Sequence, residues 1–163
     1  MSEIQRVSIN YDTPDEISKN LRLVYYDSAK TKIELFATNT EKVNGRQEIT
    51  LLKDSLRVNF YDKSGKKIST LFALYGEIND LKNMVYVKDS VRFYNFDKKQ
   101  LLETETLYWN RSGSSIYTDG QVIVKSPDGL ALGTGFKTKQ DFVKYTILKP
   151  QGQILVKDSK KEN

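Results

Sequence analysis

The sequence predicts an all-β fold, a twisted open stack of antiparallel strands, on three observations. Strand-favouring aromatic residues are frequent, with 10 Tyr and 7 Phe, whereas Pro occurs only 3 times among 163 residues. Polar and apolar residues alternate in short runs such as 32–37 and 56–61, which is the period of a half-buried strand. Turn residues interrupt these runs about every 8–12 positions, as in β-sandwiches and β-barrels.

The chain divides into one predicted domain with an arm and a tail. A length of 163 residues is about one domain. Residues 1–20 show little periodicity, so we expect an N-terminal arm with a short helical turn over Asp15–Lys19. The alternating pattern covers residues 21–157, the predicted β domain. Residues 158–163 are polar and predict a disordered tail.

Turn-like dipeptides recur along the domain at a nearly constant spacing. Four of them lie 35, 30 and 32 positions apart: Asp54-Ser55, Asp89-Ser90, Asp119-Gly120 and Gln151-Gly152. Each precedes an alternating run, so we expect a repeating unit of about 32 residues made of a few short strands. Asp-Gly between two apolar runs is a strong hairpin signal, and we predict a hairpin turn at Asp119-Gly120. A stack of such units exposes a strand edge at each end.

The composition argues against catalysis. The chain has no Cys and no His, which removes thiolate chemistry, the commonest general base and the commonest metal ligand. Glu103 and Glu105 lie two apart on one strand face, but no base or metal ligand accompanies them. The lone Gly133-Thr134-Gly135 lies inside a strand pattern and predicts a bulge rather than a phosphate loop. We therefore predict no enzyme, no cofactor and no metal site.

Nucleic-acid binding has weaker support. Basic residues interleave with aromatic ones in Arg92-Phe93-Tyr94 and in Tyr108–Arg111. The net charge is only +5, however, from 26 basic and 21 acidic residues that are interspersed. No dense basic stripe is visible, so we do not expect a nucleic-acid partner. A binder of single strands or carbohydrate stays open as an alternative.

Several segments together form a fairly specific sequence pattern. Its main motif is Leu102–Asn110, read as L-E-T-E-x-L-Y-W-N, with Ile116-Tyr117-Thr118-Asp119 downstream. The other segments are Tyr25–Lys30, Val58–Asp62 with Gly65, Ser69-Thr70-Leu71, Pro127-Asp128-Gly129 and Gly133–Phe136. With these segments the chain resembles the periplasmic domain of the LptC family, the lipopolysaccharide export proteins, of the type found in Bacteroidetes-like bacteria. The resemblance covers Leu23 to Val156, about the whole domain.

The resemblance implies a fold, a location and partners. It implies an OstA-like β-jellyroll that lies in the periplasm and is anchored to the inner membrane. We therefore expect the native protein to carry an anchor that the sequence does not include. The implied ligand is lipopolysaccharide, whose acyl chains enter an apolar groove. The implied protein partners are the inner-membrane ABC transporter complex of the Lpt system and a periplasmic LptA-like jellyroll, the next one of the bridge.

The alternation selects candidate residues for the groove and for the two edges. The groove candidates share one strand face: Val58, Phe60, Leu71, Ala73, Val91, Phe93, Leu107, Trp109, Ile116, Val122, Val124 and Phe136. The candidates for the incoming edge are Leu21, Leu23 and Tyr25. The candidates for the outgoing edge are Tyr145, Ile147, Ile154 and Val156. Edge-to-edge self-association is a further expectation, and a non-catalytic scaffold with a fully packed interior is the alternative function.

Overall fold

A computed structural model describes residues 16–27, 29–43 and 48–155, and every regular element in these ranges is a β-strand. The ten strands are β1 (Glu16–Tyr26), β2 (Lys32–Val43), β3 (Ile49–Tyr61), β4 (Lys67–Ala73), β5 (Tyr75–Asn79), β6 (Met84–Asn95), β7 (Gln100–Asn110), β8 (Ser115–Ser126), β9 (Gly129–Lys139) and β10 (Tyr145–Leu155). All strand pairs are antiparallel. The prediction of an antiparallel all-β, jellyroll-like fold is confirmed.

The strands form one sheet in an almost sequential order. That order is β1-β2-β3-β4-β6-β7-β8-β9-β10, with β5 paired to β3 and β6. Because β4 and β5 pair with the same two neighbours and only Leu74 separates them, they act as one interrupted strand. The two edges of the described sheet are therefore β1 and β10.

A line of bulges creases the sheet across its strands. Asp54-Ser55 in β3 and Asp89-Ser90 in β6 all have positive φ, from 55° to 89°. Asp119-Gly120 lies inside β8, because Thr118 pairs with Phe136 and Gln121 pairs with Thr134 of the same strand β9. The predicted hairpin turn at this dipeptide is therefore wrong. Asp54, Ser55, Asp89 and Ser90 adopt the positive φ that a tight hairpin turn also uses, whereas Asp119 and Gly120 do not.

The crease explains the spacing that predicted a repeat. The strands β3, β6 and β8 cross it in the same direction, so successive crossings are separated by two strand lengths and two turns. This interval is the 30 to 35 residues between Asp54, Asp89 and Asp119. The fourth marker, at Gln151-Gly152, is a separate bulge in β10 that lies beyond the crease.

The crease divides the sheet into two leaves, each built of strand halves. The first leaf contains residues 21–26, 32–37, 56–61, 67–73, 91–95, 100–104, 121–126, 129–134 and 149–155. The second leaf contains residues 16–19, 39–43, 49–53, 75–79, 84–88, 107–110, 115–118, 136–139 and 145–147. Inner-face residues of both leaves form a single hydrophobic core, so the core lies between the leaves.

The N-terminal boundary of the sheet differs from the prediction. Residues 16–19 belong to β1 and pair with β2, for example Ile17 with Glu41. The predicted helical turn is therefore wrong over these residues, and the sheet begins before residue 21. The pairing of β1 with a long β2 favours the extended conformation over the weak local helix signal. The rest of the predicted arm and the predicted tail lie outside the described residues.

Candidate functional site

All twelve groove candidates face the space between the leaves. Their exposed fractions range from 0% to 2%. Burial follows the strand period, as in β4, where Leu71 and Ala73 are buried and Thr70 and Phe72 are only partly so. The interior is therefore apolar along its length, and its centre is filled by these side chains themselves.

Aromatic rings join the two leaves at their far ends. Phe60 of the first leaf packs edge-on against Trp109 of the second, with ring centroids 5.2 Å apart. Phe60 also contacts Phe93 on its own leaf at 6.0 Å. Edge-to-face pairs at such distances stabilise a fold beyond simple burial. The leaves are thus held together opposite the crease.

A loop between β9 and β10 covers the interior at the same end, and we call residues 140–144 the lid. Phe142 at its centre is 0% exposed. Its ring stacks on Phe93 at 4.9 Å and also contacts Phe136 at 5.8 Å and Tyr145 at 5.9 Å. Phe142 has a φ of 55°, a left-handed conformation that costs a non-glycine residue about 1–2 kcal/mol. The ring contacts offset this cost.

Side-chain hydrogen bonds tie the lid to both leaves. Ser69 Oγ donates to the carbonyl of Gln140 at 2.6 Å, and Asn95 Nδ2 donates to that of Asp141 at 2.8 Å. Two further bonds complete the set: Gln100 Nε2 to the Phe142 carbonyl at 2.7 Å, and Trp109 Nε1 to Gln140 Oε1 at 2.8 Å. All four donors are buried side chains, so the lid satisfies polar groups that burial would otherwise penalise.

Phe142 is a site residue that the strand pattern of the sequence does not predict. Phe142 lies in a short polar loop outside any alternating run, so strand periodicity gives no signal for it. The available signal was a large apolar residue in a turn, between Asp141 and Val143. A large aromatic residue within a polar turn indicates a loop that covers the interior, as this lid does.

The turn between β1 and β2 contacts the lid through Asp27. The Asp27 carboxylate accepts hydrogen bonds from the backbone of Ala29 and Thr31 and from Thr31 Oγ1, and Gln140 Nε2 donates to it at 3.4 Å. Burial works to raise the pKa of Asp27, but these hydrogen bonds outweigh it and hold the pKa below its ordinary value of 3.8. The carboxylate therefore stays ionised and fixes the turn beside the lid.

The space between the leaves opens at the edge strand β10. A cleft of about 450 Å³ lies there. It is lined by Ala131, Leu132, Tyr145, Ile147, Pro150, Gly152 and Gln153. Tyr145 and Ile147 are partly buried and pack against the core, so the cleft continues the apolar interior to the surface.

The edge candidates lie on the two edge strands. Leu21, Leu23 and Tyr25 are on β1, with Leu23 in the core and the other two packed against it. The candidates for the outgoing edge are distributed along β10, where Ile154 is 57% exposed. Val156 lies outside the described residues. Their roles as partner edges remain predictions.

The described residues provide no site for metal chemistry. Within 16–27, 29–43 and 48–155, no three acidic, His or Cys side chains lie close enough together to hold an ion. In the same ranges no helix is long and apolar enough to cross a membrane.

Glu103 contacts Arg92 at 3.9 Å and Lys125 at 3.1 Å, so it belongs to a surface ion-pair cluster.

The comparisons with known proteins agree with this architecture. A search of curated proteins finds no match. The model of one protein family, described as lipopolysaccharide-assembly, LptC-related, matches residues 2–150. This match covers most of the 163 residues. The chain therefore belongs to the LptC family, a family of periplasmic, envelope-associated transport-bridge components that has a role in lipopolysaccharide transport and is not known as an enzyme family.

Proposed function

We propose that this protein binds the acyl chains of lipid A between its two leaves and passes them along a periplasmic bridge. In this proposal the lipid comes from the inner-membrane ABC transporter of the Lpt system, to whose membrane the native protein is anchored. The observation that supports it best is the continuous apolar interior that opens at β10. Acyl chains need only apolar contacts, and the interior supplies these without catalytic groups.

The closed interior requires the lid to move before a chain can enter the centre. Replacing the lid by an acyl chain leaves four buried donors without partners, at about 1–3 kcal/mol each or roughly 4–12 kcal/mol together. Exposing the Phe142 ring costs about 2 kcal/mol more. A buried methylene contributes about 0.8 kcal/mol, so burying about 8 to 18 methylenes offsets both costs. The acyl chains of one lipid can therefore replace the lid.

The two edge strands give the proposed path a direction. Lipid enters near β1, moves through the space between the two leaves, and exits through the cleft at β10. The next LptA-like jellyroll would add its own strand to the exposed edge of β10, which has unpaired backbone groups along one side. Strand addition would continue the apolar interior from one domain into the next, so the chains need not meet water.

Photo-crosslinking on two adjacent residues of β10 tests this proposal. A photoreactive residue replaces Ile147, which packs against the core, or Leu148, which is 50% exposed on the opposite face. Both variants are expressed in cells as the full-length, anchored protein. We expect lipopolysaccharide adducts at Ile147 that require ATP hydrolysis by the transporter, and none at Leu148. Equal adducts at both positions, or none at Ile147, would contradict the proposal.

The filled centre of the domain favours a second candidate, a scaffold that binds proteins only through its edges. The groove candidates are at most 2% exposed, as a packed core requires. In that case further photoreactive variants at Ile154, Phe93 and Trp109, tested beside Ile147, give a protein adduct at Ile154 and no lipid adduct at the other three positions. The two candidates therefore predict different products from one set of variants.

A further inference from the structure

Arginine and phenylalanine alternate on the outer face of the first leaf. Arg22 pairs with Phe36, Phe36 with Arg57, Arg57 with Phe72, and Phe72 with Arg92, so the five residues lie side by side on five adjacent strands. We call them the arginine ladder. At about 4.8 Å per strand, the ladder is about 19 Å long and its guanidinium groups recur about every 9.6 Å.

The three arginines differ in their partners. Arg22 Nη2 lies 2.6 Å from Glu34 Oε2, and Arg92 Nε lies 3.9 Å from Glu103 Oε2. Their side chains are 53% and 59% exposed. Arg57, at the centre of the ladder, is also exposed and makes no ion pair or side-chain hydrogen bond within the described ranges. Among the described residues, the middle of the ladder therefore has a cation without a counter-charge.

A cleft of about 320 Å³ lies beside Arg57. Phe36 and Phe72 line it on either side, and Thr38 and Ser55 of the crease add hydroxyl groups. Both phenylalanines are only partly exposed, and the Arg22 guanidinium carbon lies 6.0 Å from the centre of the Phe36 ring. The cleft thus combines one unpaired guanidinium with two ring surfaces and small polar groups.

The three arginines form a single file, whereas the lysines of the same face lie outside it and have partners. The neighbouring row contains Glu34, Asn59, Thr70 and Tyr94, which are directly paired across the strands, and no cation stands among these four. The surrounding lysines and their partners are Lys125 with Glu103, Lys32 with the Tyr61 ring, and Lys67 with the Phe96 ring. A bilayer surface calls for a broad basic face, whereas a single file of cations matches an extended chain. From this geometry we infer that the arginine ladder binds an extended acidic segment of a partner protein, which crosses the strands of the first leaf.

The spacing of the ladder defines the segment. A segment in the extended polyproline II conformation advances about 3.1 Å per residue with three residues per turn, so carboxylates at every third residue lie on one side and recur about every 9.3 Å. This repeat matches the distance between successive arginines of the ladder. Arg57 can donate two parallel hydrogen bonds to the central carboxylate, whereas the outer two carboxylates compete with Glu34 and Glu103 for Arg22 and Arg92. The residues between the carboxylates lie on the phenylalanine rings. The proposal concerns the outer face and does not depend on lipid in the interior.

Two synthetic peptides test this inference with the purified protein. Both are labelled nonapeptides with three Glu and six Ser or Thr; one has Glu at every third residue, and the other has all three Glu at one end. Fluorescence anisotropy measures the affinity of each peptide for Arg57→Gln and for the control Lys137→Gln. The control removes the same charge from an exposed position of the second leaf. Thermal melting of each variant confirms that the fold is intact.

We expect the spaced peptide to bind in a salt-dependent manner and more tightly than the clustered one. Arg57→Gln should weaken binding at least tenfold, Lys137→Gln less than twofold, and Arg57→Lys by an intermediate factor because lysine keeps the charge without the planar fork. Three results would overturn the inference: equal losses of peptide affinity in the two Gln variants, equal affinity for the two peptides, or no binding of the spaced peptide. Arg57-dependent binding to vesicles of anionic phospholipid without peptide binding would identify a membrane surface instead and would also overturn it.

Discussion

Replacing Phe142 by Ala tests whether the lid is part of the core. The ring is 0% exposed and contacts three other aromatic rings, with the Phe93 stack at 4.9 Å. Truncating a fully buried Phe to Ala removes its transfer free energy and leaves a cavity, which together cost about 3–5 kcal/mol. The left-handed φ of residue 142 is equally unfavourable for both side chains, so it does not change this difference.

Urea unfolding measures this loss directly. The single tryptophan, Trp109, is buried against Phe60, so its fluorescence reports on the packing of the two leaves. We expect Phe142→Ala to lower the free energy of unfolding by about 3–5 kcal/mol, with a fall in Tm of roughly 6–20 °C for a domain of this size.

The matched control is Phe96→Ala. Phe96 is 38% exposed and packs edge-on against Tyr94, so its truncation should cost about 1–2 kcal/mol, less than that of Phe142. A loss below about 1 kcal/mol for Phe142→Ala, or equal losses for the two variants, would refute the conclusion that the lid fills the interior.

Three further predictions concern charge, backbone conformation and the edge strand. The hydrogen bond from Tyr61, followed by that from Arg22, holds the pKa of Glu34 below its ordinary value of 4.5, so this carboxylate stabilises the fold above that pH and the stabilisation is lost as the pH falls. Glu34→Gln should therefore flatten the dependence of the unfolding free energy on pH below about pH 5, and an unchanged slope would contradict this. Ser90 has a φ of 55° in the crease, so Ser90→Val should destabilise the protein by about 1–2 kcal/mol relative to Ser90→Gly, and equal stabilities in urea would show that the crease is not left-handed there. A Cβ on Gly133 would lie 2.3 Å from Ile147 Cγ2 and 2.7 Å from the Lys149 carbonyl, so Gly133→Ala should detach β10 and speed its amide exchange, with β1 as the internal reference.

The inner face of the sheet could be predicted from the sequence, because it depends on a local period. A strand that alternates Val58 and Phe60 with Arg57 and Asn59 has one obvious side to bury. In the structure both apolar residues are at most 1% exposed. A bulge can shift the alternation of inner and outer residues. Val87 and Val91 nevertheless both face inward, because they are four positions apart, an even number, across the left-handed Asp89-Ser90.

The crease could not be distinguished from a hairpin by sequence. The bulges at Asp54-Ser55 and Asp89-Ser90 use the positive φ that a tight hairpin turn also uses, so the dipeptide alone does not distinguish the two. After a hairpin turn the next residues pair with the strand that they have just left, whereas after a bulge they continue to pair with the same neighbouring strand. At Asp119-Gly120 they continue along β9, and this choice is made by pairing partners far away in sequence.

The lid and the arginine ladder also depend on distant residues. Phe142 is buried because Ser69, Asn95 and Gln100, which lie 42 to 71 residues earlier than their bonding partners, hold its loop in place. The ladder depends on the register of five strands. In the sequence, Arg22 and Arg92 are 70 positions apart, so their alignment through Arg57 is visible only in the folded sheet.

The central claim is that acyl chains occupy the space between the leaves, and methyl NMR with lipopolysaccharide measures this occupancy most directly. Val124 is 2% exposed on the inner face, and its neighbour Ile123 lies on the outer face of the same strand. We predict intermolecular nuclear Overhauser effects from acyl methylenes to the methyl groups of Val124 and Ile147, and none to Ile123. Contacts to Ile123 alone, or no contact to either inner methyl group at saturating lipid, would contradict the claim.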